Sequence, residues 1–500
     1  MTRDVNLTRT TITGAAWMSG ASVVRVAIRM LAVAILARLV TPADFGIAAA
    51  SLVVVDFAVM LGQLGLSSAI IQRKEILERH LATAFGTALL LLCFLVAGMW
   101  YAAPVFARLM AIEETTTITK VLTLMVVFRL IGGLAEAILA RNLKSREIAS
   151  ASLISWTLAA FLVAIPLAFF GFGYWALVAM SIAEAGIWCV LLTRRTWETF
   201  PLPWIDLQSL RDLLPLGFGF AVMAPFSFLS TNVDRFLLAR LMGASELGLY
   251  SRSAFLAKTG VKVFNGIIRT TAFPAMARVQ NDEIRLQKAF RSGIALTALL
   301  AIPAGMFCAL FAAELVAVLL GKQWGAAAFP LATFGVALYP ILGQRFVVGF
   351  FQSIGRPYSL IPIQLVYIAL LATTIIVLYR FGLSAVCAGI ACVSFVQFFL
   401  SLGLTRQKAK VDFAQLMRLH RPPLLVASGV FVCGLAAKHS TVGFAPWMSL
   451  GLGVILVVLF LMLALRMAPA HILGQEGQNL AVKVLGSRAR YLGSSFKSTG

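Results

Sequence analysis

Two stretches of the chain decide its fold: LARLVTPADFGI at residues 36–47 and LARLMGASELGL at residues 238–249. Leu36-Ala37-Arg38-Leu39 returns as Leu238-Ala239-Arg240-Leu241, and Asp44-Phe45-Gly46-Ile47 returns as Glu246-Leu247-Gly248-Leu249, both at an offset of 202. Two separated blocks that share one offset mark an internal repeat. The sequence around each copy is apolar over lengths that cross a bilayer, for which ~20 mostly apolar residues suffice. Fourteen segments qualify: 14–39, 46–71, 82–103, 118–140, 150–171, 174–193, 213–236, 249–274, 292–313, 327–353, 359–379, 383–404, 423–437 and 446–465. The offset carries span 1 onto span 7 and span 2 onto span 8. Six spans separate the copies, an even number, so both copies face the same way. The repeat is therefore parallel, about an axis along the membrane normal.

The fold class this predicts is an all-α polytopic membrane protein of about 14 transmembrane helices. Two pseudo-symmetric six-helix lobes are followed by two extra C-terminal helices. The corresponding divisions are 1–211 for the first lobe, 212–405 for the second, 406–466 for spans 13 and 14, and 467–500 for a basic cytoplasmic tail.

Composition excludes the alternatives. Of 500 residues, 60% are hydrophobic and only 12% charged, about half the charged fraction of an ordinary soluble chain. Six cysteines, all in apolar stretches and none in CxxC spacing, are too sparse for a disulfide scaffold. The four histidines (His80, His420, His439, His471) fall in expected loops or the tail, which speaks against a histidine relay or metal site within the membrane.

The net charge of +22 would suggest nucleic acid in a soluble protein, but a membrane chain collects Lys and Arg in its cytoplasmic loops. With the N-terminus inside, 26 of the 42 bases fall on the cytoplasmic side, seven on the other side and nine within spans. This bias predicts that both termini are cytoplasmic, and no nucleic-acid partner is expected.

The nine bases within spans are Arg25, Arg29, Arg129, Arg235, Arg252, Lys258, Lys262, Arg269 and Arg345, against four acids, Asp56, Glu136, Glu184 and Asp234. Charge in hydrocarbon is costly and faces a cavity or a partner. Arg25 and Arg29 share a face of span 1; Lys258, Lys262 and Arg269 share one along span 8. Arg129 and Glu136 lie on span 4, Arg345 on span 10 and Asp56 on span 2. The polar spans 1, 2 and 4 correspond to 7, 8 and 10 under the repeat. Bases outnumber acids, so a wet cationic interior for an anionic ligand is expected, with Arg as bidentate fork and Lys as point charge. The acids are candidates for ion coupling or for salt bridges.

No G-x-x-x-x-G-K-[ST], HExxH or GxSxG motif occurs, and no long loop offers room for a catalytic domain. The chain is read as a non-enzyme.

Longer stretches carry a family resemblance. ARLVTPADFGIAAASLVVVDFAVMLGQLGLSSAIIQR (37–73) resembles the first two spans of the bacterial polysaccharide transporter (Wzx-type) flippases. NVDRFLLARLMGASELGLYSRSAFLAK (232–258) resembles their junction of spans 7 and 8, and FQSIGRP (351–357) the end of their span 10. The family shares a superfamily, MOP, with MATE-type multidrug exporters and lipid II flippases. The resemblance implies a V-shaped pair of lobes around a cationic cavity in the bacterial inner membrane. It implies that undecaprenyl-pyrophosphate-linked oligosaccharide, an exopolysaccharide or lipopolysaccharide repeat unit, is flipped across by alternating access. Arg25, Arg29, Arg129, Lys258, Lys262, Arg269 and Arg345 would line the substrate cavity. Asp56, Glu136, Glu184 and Asp234 would be the candidates for coupling to H+ or Na+. Spans 13 and 14 would help seat the lipid tail. No cofactor is implied; the expected partners are the polyprenyl-linked glycan, membrane lipid, and neighbouring polymerase and export proteins. A multidrug exporter on the same fold, or a membrane-embedded polysaccharide polymerase or ligase, are the rival readings.

Overall fold

The computed structural model describes residues 26–467, apart from 64–65, 74–75, 200–201, 268–275, 277–281 and 410. Arg25, Arg269, the first half of span 1 and the tail from residue 468 lie outside the described residues. Lys262 lies on a described helical backbone, but its side chain is outside the described set. The described residues are helical and contain no strand. Ten helices are long and apolar enough to cross a membrane, and one bent pair makes an eleventh. These eleven match expected spans 2–6 and 9–14. The described parts of spans 1, 7 and 8 are helical too, at α1 (26–39) and within α9 (Leu207–Ile267).

The chain forms two compact units, Met1–Ser251 and Arg252–Gly500. The boundary between these units falls within α9, after Ser251.

In the first unit, α2 (Pro42–Gln63) starts with Pro42 in its first turn and a reciprocal cap. The Thr41 hydroxyl accepts the Asp44 N–H at 3.2 Å, and the Asp44 carboxylate accepts the Thr41 N–H at 3.2 Å. Two orphan donors are thereby satisfied. The central helix is α5 (Thr115–Arg141), packed on α2, on α4 (Glu78–Met110) and on α8 (Tyr174–Thr196). Its buried face includes Gly132, Gly133, Ala135 and Ala137, small residues that let helix backbones approach closely where no hydrophobic force drives association. After α5, α6 (Ser145–Leu158) packs on α8 and runs through a π-helical turn, Ala159–Ala164, into α7 (Ile165–Phe169).

The two repeat copies meet inside this unit. A Cβ on Gly46 would stand 1.7 Å from the Ala244 carbonyl oxygen, and one on Gly248 would stand 1.8 Å from the Pro42 carbonyl oxygen. Only glycine admits either approach. Within α9 the helix breaks at Gly243, whose φ of 83° and ψ of −179° suit glycine alone.

In the second unit, α10 (Glu283–Leu310) packs on α12 (Ala328–Val336), α13 (Leu338–Ser353) and α17 (Arg421–Ser440). The core is aromatic: Phe290, Phe346, Phe350 and Phe398 are fully enclosed, with Phe290 and Phe350 edge to face at 5.1 Å. Expected span 10 is broken: the axis bends by 47° at Ala337. Pro340, in the first turn of α13, has no N–H for the Val336 carbonyl, and its ring obstructs a straight continuation. The last two helices, α17 and α18 (Pro446–Met467), clasp one ring. Phe311 is wholly buried, and a Cβ on Gly434 or Gly453 would lie 3.1 or 2.3 Å from it. Lys438 sits 5.6 Å above the same ring and 2.9 Å from Glu314.

Candidate functional site

The first unit has an open cavity of about 680 Å³ lined by α2, α5, α6 and α8. Asp56 enters it from α2, Arg129 and Glu136 from α5, Ser145 and Ser152 from α6, and Trp188 from α8. Arg129 and Glu136 are seven residues apart, two helical turns, which sets both on one face. The Arg129 guanidinium lies 3.5 Å from Glu184 and 5.2 Å from the centre of the Trp188 ring. Glu184 and Trp188 are four apart on α8, so one face of that helix holds the guanidinium by charge and by cation–π attraction. A ring contact of this kind contributes about 0.5–2 kcal/mol. Arg129 is thus a paired base, and the two carboxylates that line the cavity beside it are Asp56 and Glu136.

This cavity lies within the first unit. Its lining carries two acids and one base, and that base faces a third acid on α8. Carboxylates and hydroxyls are hard oxygen donors, suited to a proton or a small cation. No group of three or more metal-binding side chains is assembled among the described residues.

The remaining expected residues lie elsewhere. Arg29, on α1, lays its guanidinium 5.1 Å from the Trp156 ring on α6. Asp234 is buried on α9; its carboxylate accepts the Tyr250 hydroxyl at 2.5 Å and the Arg235 N–H at 2.8 Å. This acid is satisfied within its own helix pair and is not part of the cavity. Lys258 belongs to the second unit, as does Arg345, which is exposed on α13 eight residues beyond the break. Arg25, Lys262 and Arg269 are the positions whose side chains fall outside the description.

Trp156, Trp188 and Tyr250 were not singled out by sequence spacing. Each partners a charged residue distant in the chain or across a turn, and only an aromatic near an unexplained intramembrane charge could have pointed to them. His80 sits differently from expectation, in a helix, whereas His420 lies in a turn. His80 is buried in the first turn of α4, where its Nδ1 accepts the Leu77 N–H at 3.0 Å. His420, between α16 (Phe413–Leu419) and α17, stands 2.5 Å from the Tyr339 hydroxyl and 2.7 Å from the Leu416 carbonyl. A carbonyl only accepts, so His420 Nδ1 carries the proton and Nε2 takes the Tyr339 hydroxyl. His80 lies in a helix because α4 begins at Glu78, ahead of the apolar run that marks span 3.

Comparison with known proteins agrees with this architecture. A family model described as "Polysaccharide biosynthesis protein" matches residues 35–329. The succinoglycan biosynthesis transport protein ExoT of Rhizobium meliloti is 28% identical over 303 residues, 59% of this chain and 60% of that protein. The matched region thus spans less than two thirds of ExoT's length. The lipopolysaccharide biosynthesis protein WzxC of Escherichia coli is 24% identical over 380 residues, 71% of this chain and 70% of that one. Among solved structures, the lipid II flippase MurJ in an inward closed conformation superposes with a TM-score of 0.67 at 11% identity. That match covers 91% of this chain and 99% of MurJ. An inward-facing MATE multidrug resistance transporter of the MOP superfamily gives 0.62 at 16% identity, over 78% and 98% of the two chains. At these identities the structural likeness establishes a shared fold.

Proposed function

Because this chain belongs to the polysaccharide biosynthesis protein family, we propose that it carries a polyprenyl-pyrophosphate-linked oligosaccharide across the bacterial inner membrane. The route is alternating access, with both termini in the cytoplasm. The observation that carries this reading is the excess of nine bases over four acids within the expected spans. The shared fold serves multidrug export as well as lipid flipping, so charge is the discriminating property. An anionic pyrophosphate or acidic sugar meets Arg and Lys favourably; a cationic drug does not. The residues assigned to the anion are Arg25 and Arg29 in the first unit and Lys258, Lys262, Arg269 and Arg345 in the second.

The acids take a separate role. Asp56 and Glu136, in the first unit's cavity, bind the coupling ion, H+ or Na+, and the Arg129–Glu184 pair holds that cavity's wall in place. The reading includes no bond-making step on the protein. It places the chain between the enzymes that build the lipid-linked unit and the polymerase and export proteins that consume it, which are its expected neighbours.

The test is the sidedness of the lipid-linked glycan in cells lacking this protein, complemented by wild type or by Arg29→Ala/Lys258→Ala. Accumulation on the cytoplasmic face, relieved by wild type and not by the double variant, is expected. Relief by the double variant would remove the basic residues from the mechanism. Glycan accumulating on the outer face would place the defect after translocation and sink the flippase reading.

A further inference from the structure

At one end of the first unit α4 begins, α5 ends, α6 begins, α8 ends and α9 begins. There the chain exposes large apolar side chains, the most exposed being Leu77, Leu143, Trp197, Leu202, Trp204 and Leu207. Their exposure runs from 50% for Leu77 to 88% for Leu202. These residues lie in connections or in terminal turns, beyond the middle of any span, so the hydrocarbon core does not account for them.

The backbone beneath them is held in place. The Trp204 N–H donates to the Ala82 carbonyl at 3.2 Å, and the Asp206 N–H to the Thr83 hydroxyl at 3.1 Å, both on α4. A Cβ on Gly86 would stand 2.9 Å from the Ile205 side chain and 3.1 Å from the Trp204 carbonyl oxygen, so glycine lets the strap lie flat on α4. Asp206 then caps α9, accepting from the Ser209 hydroxyl at 2.6 Å and its N–H at 3.0 Å. Those two donors hold the Asp206 carboxyl below its ordinary range. The strap is a fixed platform that turns Leu202 and Trp204 outward.

Leu143 is a second, independent sign. It takes a φ of 57° at the end of α5, in a turn closed by Lys144 N–H to Leu139 O at 2.9 Å and Leu143 N–H to Ala140 O at 3.1 Å. Glycine or asparagine is favoured at that position. A leucine there carries backbone strain and is still 87% exposed. The same end is rimmed by exposed Arg79, Arg146, Arg194 and Arg211, against exposed Glu78 and Glu198.

Tryptophan and leucine at a helix end favour the boundary of headgroups and acyl chains. Each nearby base contributes about fivefold to affinity for an anionic leaflet. We propose that this end of the first unit is a lipid-binding surface: the 202–207 strap, Trp197 and Leu143 lie in the headgroup layer, and the arginine rim gathers anionic phospholipid. By the distribution of basic residues, the leaflet is the cytoplasmic one.

The test uses the full chain with its native cysteines replaced and Leu202→Cys carrying the environment-sensitive fluorophore NBD. It is reconstituted in vesicles of phosphatidylcholine and phosphatidylglycerol. Nitroxide lipids are expected to quench more when the label sits near the headgroup than at the chain end, and more on phosphatidylglycerol than on phosphatidylcholine. Arg194→Gln/Arg211→Gln is expected to abolish the second difference and keep the first. Water-like emission, quenched by iodide and by neither nitroxide, would overturn the proposal and leave the surface to a protein partner. Equal quenching by the two lipids in the wild type would overturn the anionic rim. Leu143→Gly provides a readout that structure alone would not move: it should raise thermal stability in detergent and lower it, relative to wild type, in phosphatidylglycerol vesicles. A rise in both would also count against the surface.

Discussion

The start of α2 and the restart of α9 after Gly243 are copies of one another, and they agree in burial while differing in how their ends are closed. Leu36, Ala37 and Phe45 are buried, as are their counterparts Leu238, Ala239 and Leu247; Arg38 and Arg240 are both exposed. Gly46 meets Ala244, and Gly248 meets Pro42. Since 42 and 244 are themselves one offset apart, the contact is reciprocal, as a twofold axis through the pair requires. The caps are unlike. Thr41 and Asp44 close α2, and Asp44 also accepts the Tyr174 N–H at 3.2 Å, so one carboxylate serves two helix starts. The second copy replaces the threonine with Gly243 and closes by a backbone conformation. The repeat has kept what the shared contact needs and let the rest diverge.

Substitutions can break this comparison. The largest effect is expected at the two glycines: Gly46→Leu and Gly248→Leu should abolish recovery of folded protein. Gly46→Ala and Gly248→Ala should each cost about 1–3 kcal/mol by overpacking, and similar amounts. Thermal unfolding of the detergent-solubilised protein measures this; a neutral result at one glycine would mean the contact is one-sided. Gly243→Ala comes next, at about 1–3 kcal/mol for an alanine forced into glycine's region, whereas Thr41→Gly should cost only a few tenths. If the two effects were equal, the caps would differ in sequence alone. Asp44→Ala should cost about 1 kcal/mol and Glu246→Ala about 0.5 kcal/mol or less. A larger loss at Glu246 would reveal a second carboxylate cap in the other copy.

The same regions show what a sequence can disclose. Spans and repeat were legible because apolar length and a fixed offset are properties of the string itself. The break at Ala337 was half legible, since Pro340 names a weak point without giving its angle. Partners were the illegible part. Periodicity put Arg129 on a polar face, but the acid and the ring that hold it come from α8, more than fifty residues on. The count of bases over acids names no partner for Arg129; the packing sets it against Glu184 and leaves Asp56 and Glu136 lining the first unit's cavity. His80 was not legible as helical because α4 starts ahead of the apolar run that marks span 3.

The cavity assignment is testable by size of effect as well. Glu184→Ala removes the partner of a half-buried guanidinium and should lower stability by about 1–3 kcal/mol. Glu184→Gln, which keeps shape and hydrogen bonding, should cost less. Asp56→Asn should leave the fold intact and change transport alone; a comparable loss of stability would make Asp56 structural.

Phe311 has a consequence for the order in which the chain is made. Its ring is synthesised and inserted more than a hundred residues before Gly434 and Gly453, which form its socket. Until the ribosome has delivered the last described span, the ring has only half of that socket. The second unit therefore closes late: a nascent chain arrested before residue 446 should hold Phe311 in a site open to protease and chaperone, and releasing the final span should shut it.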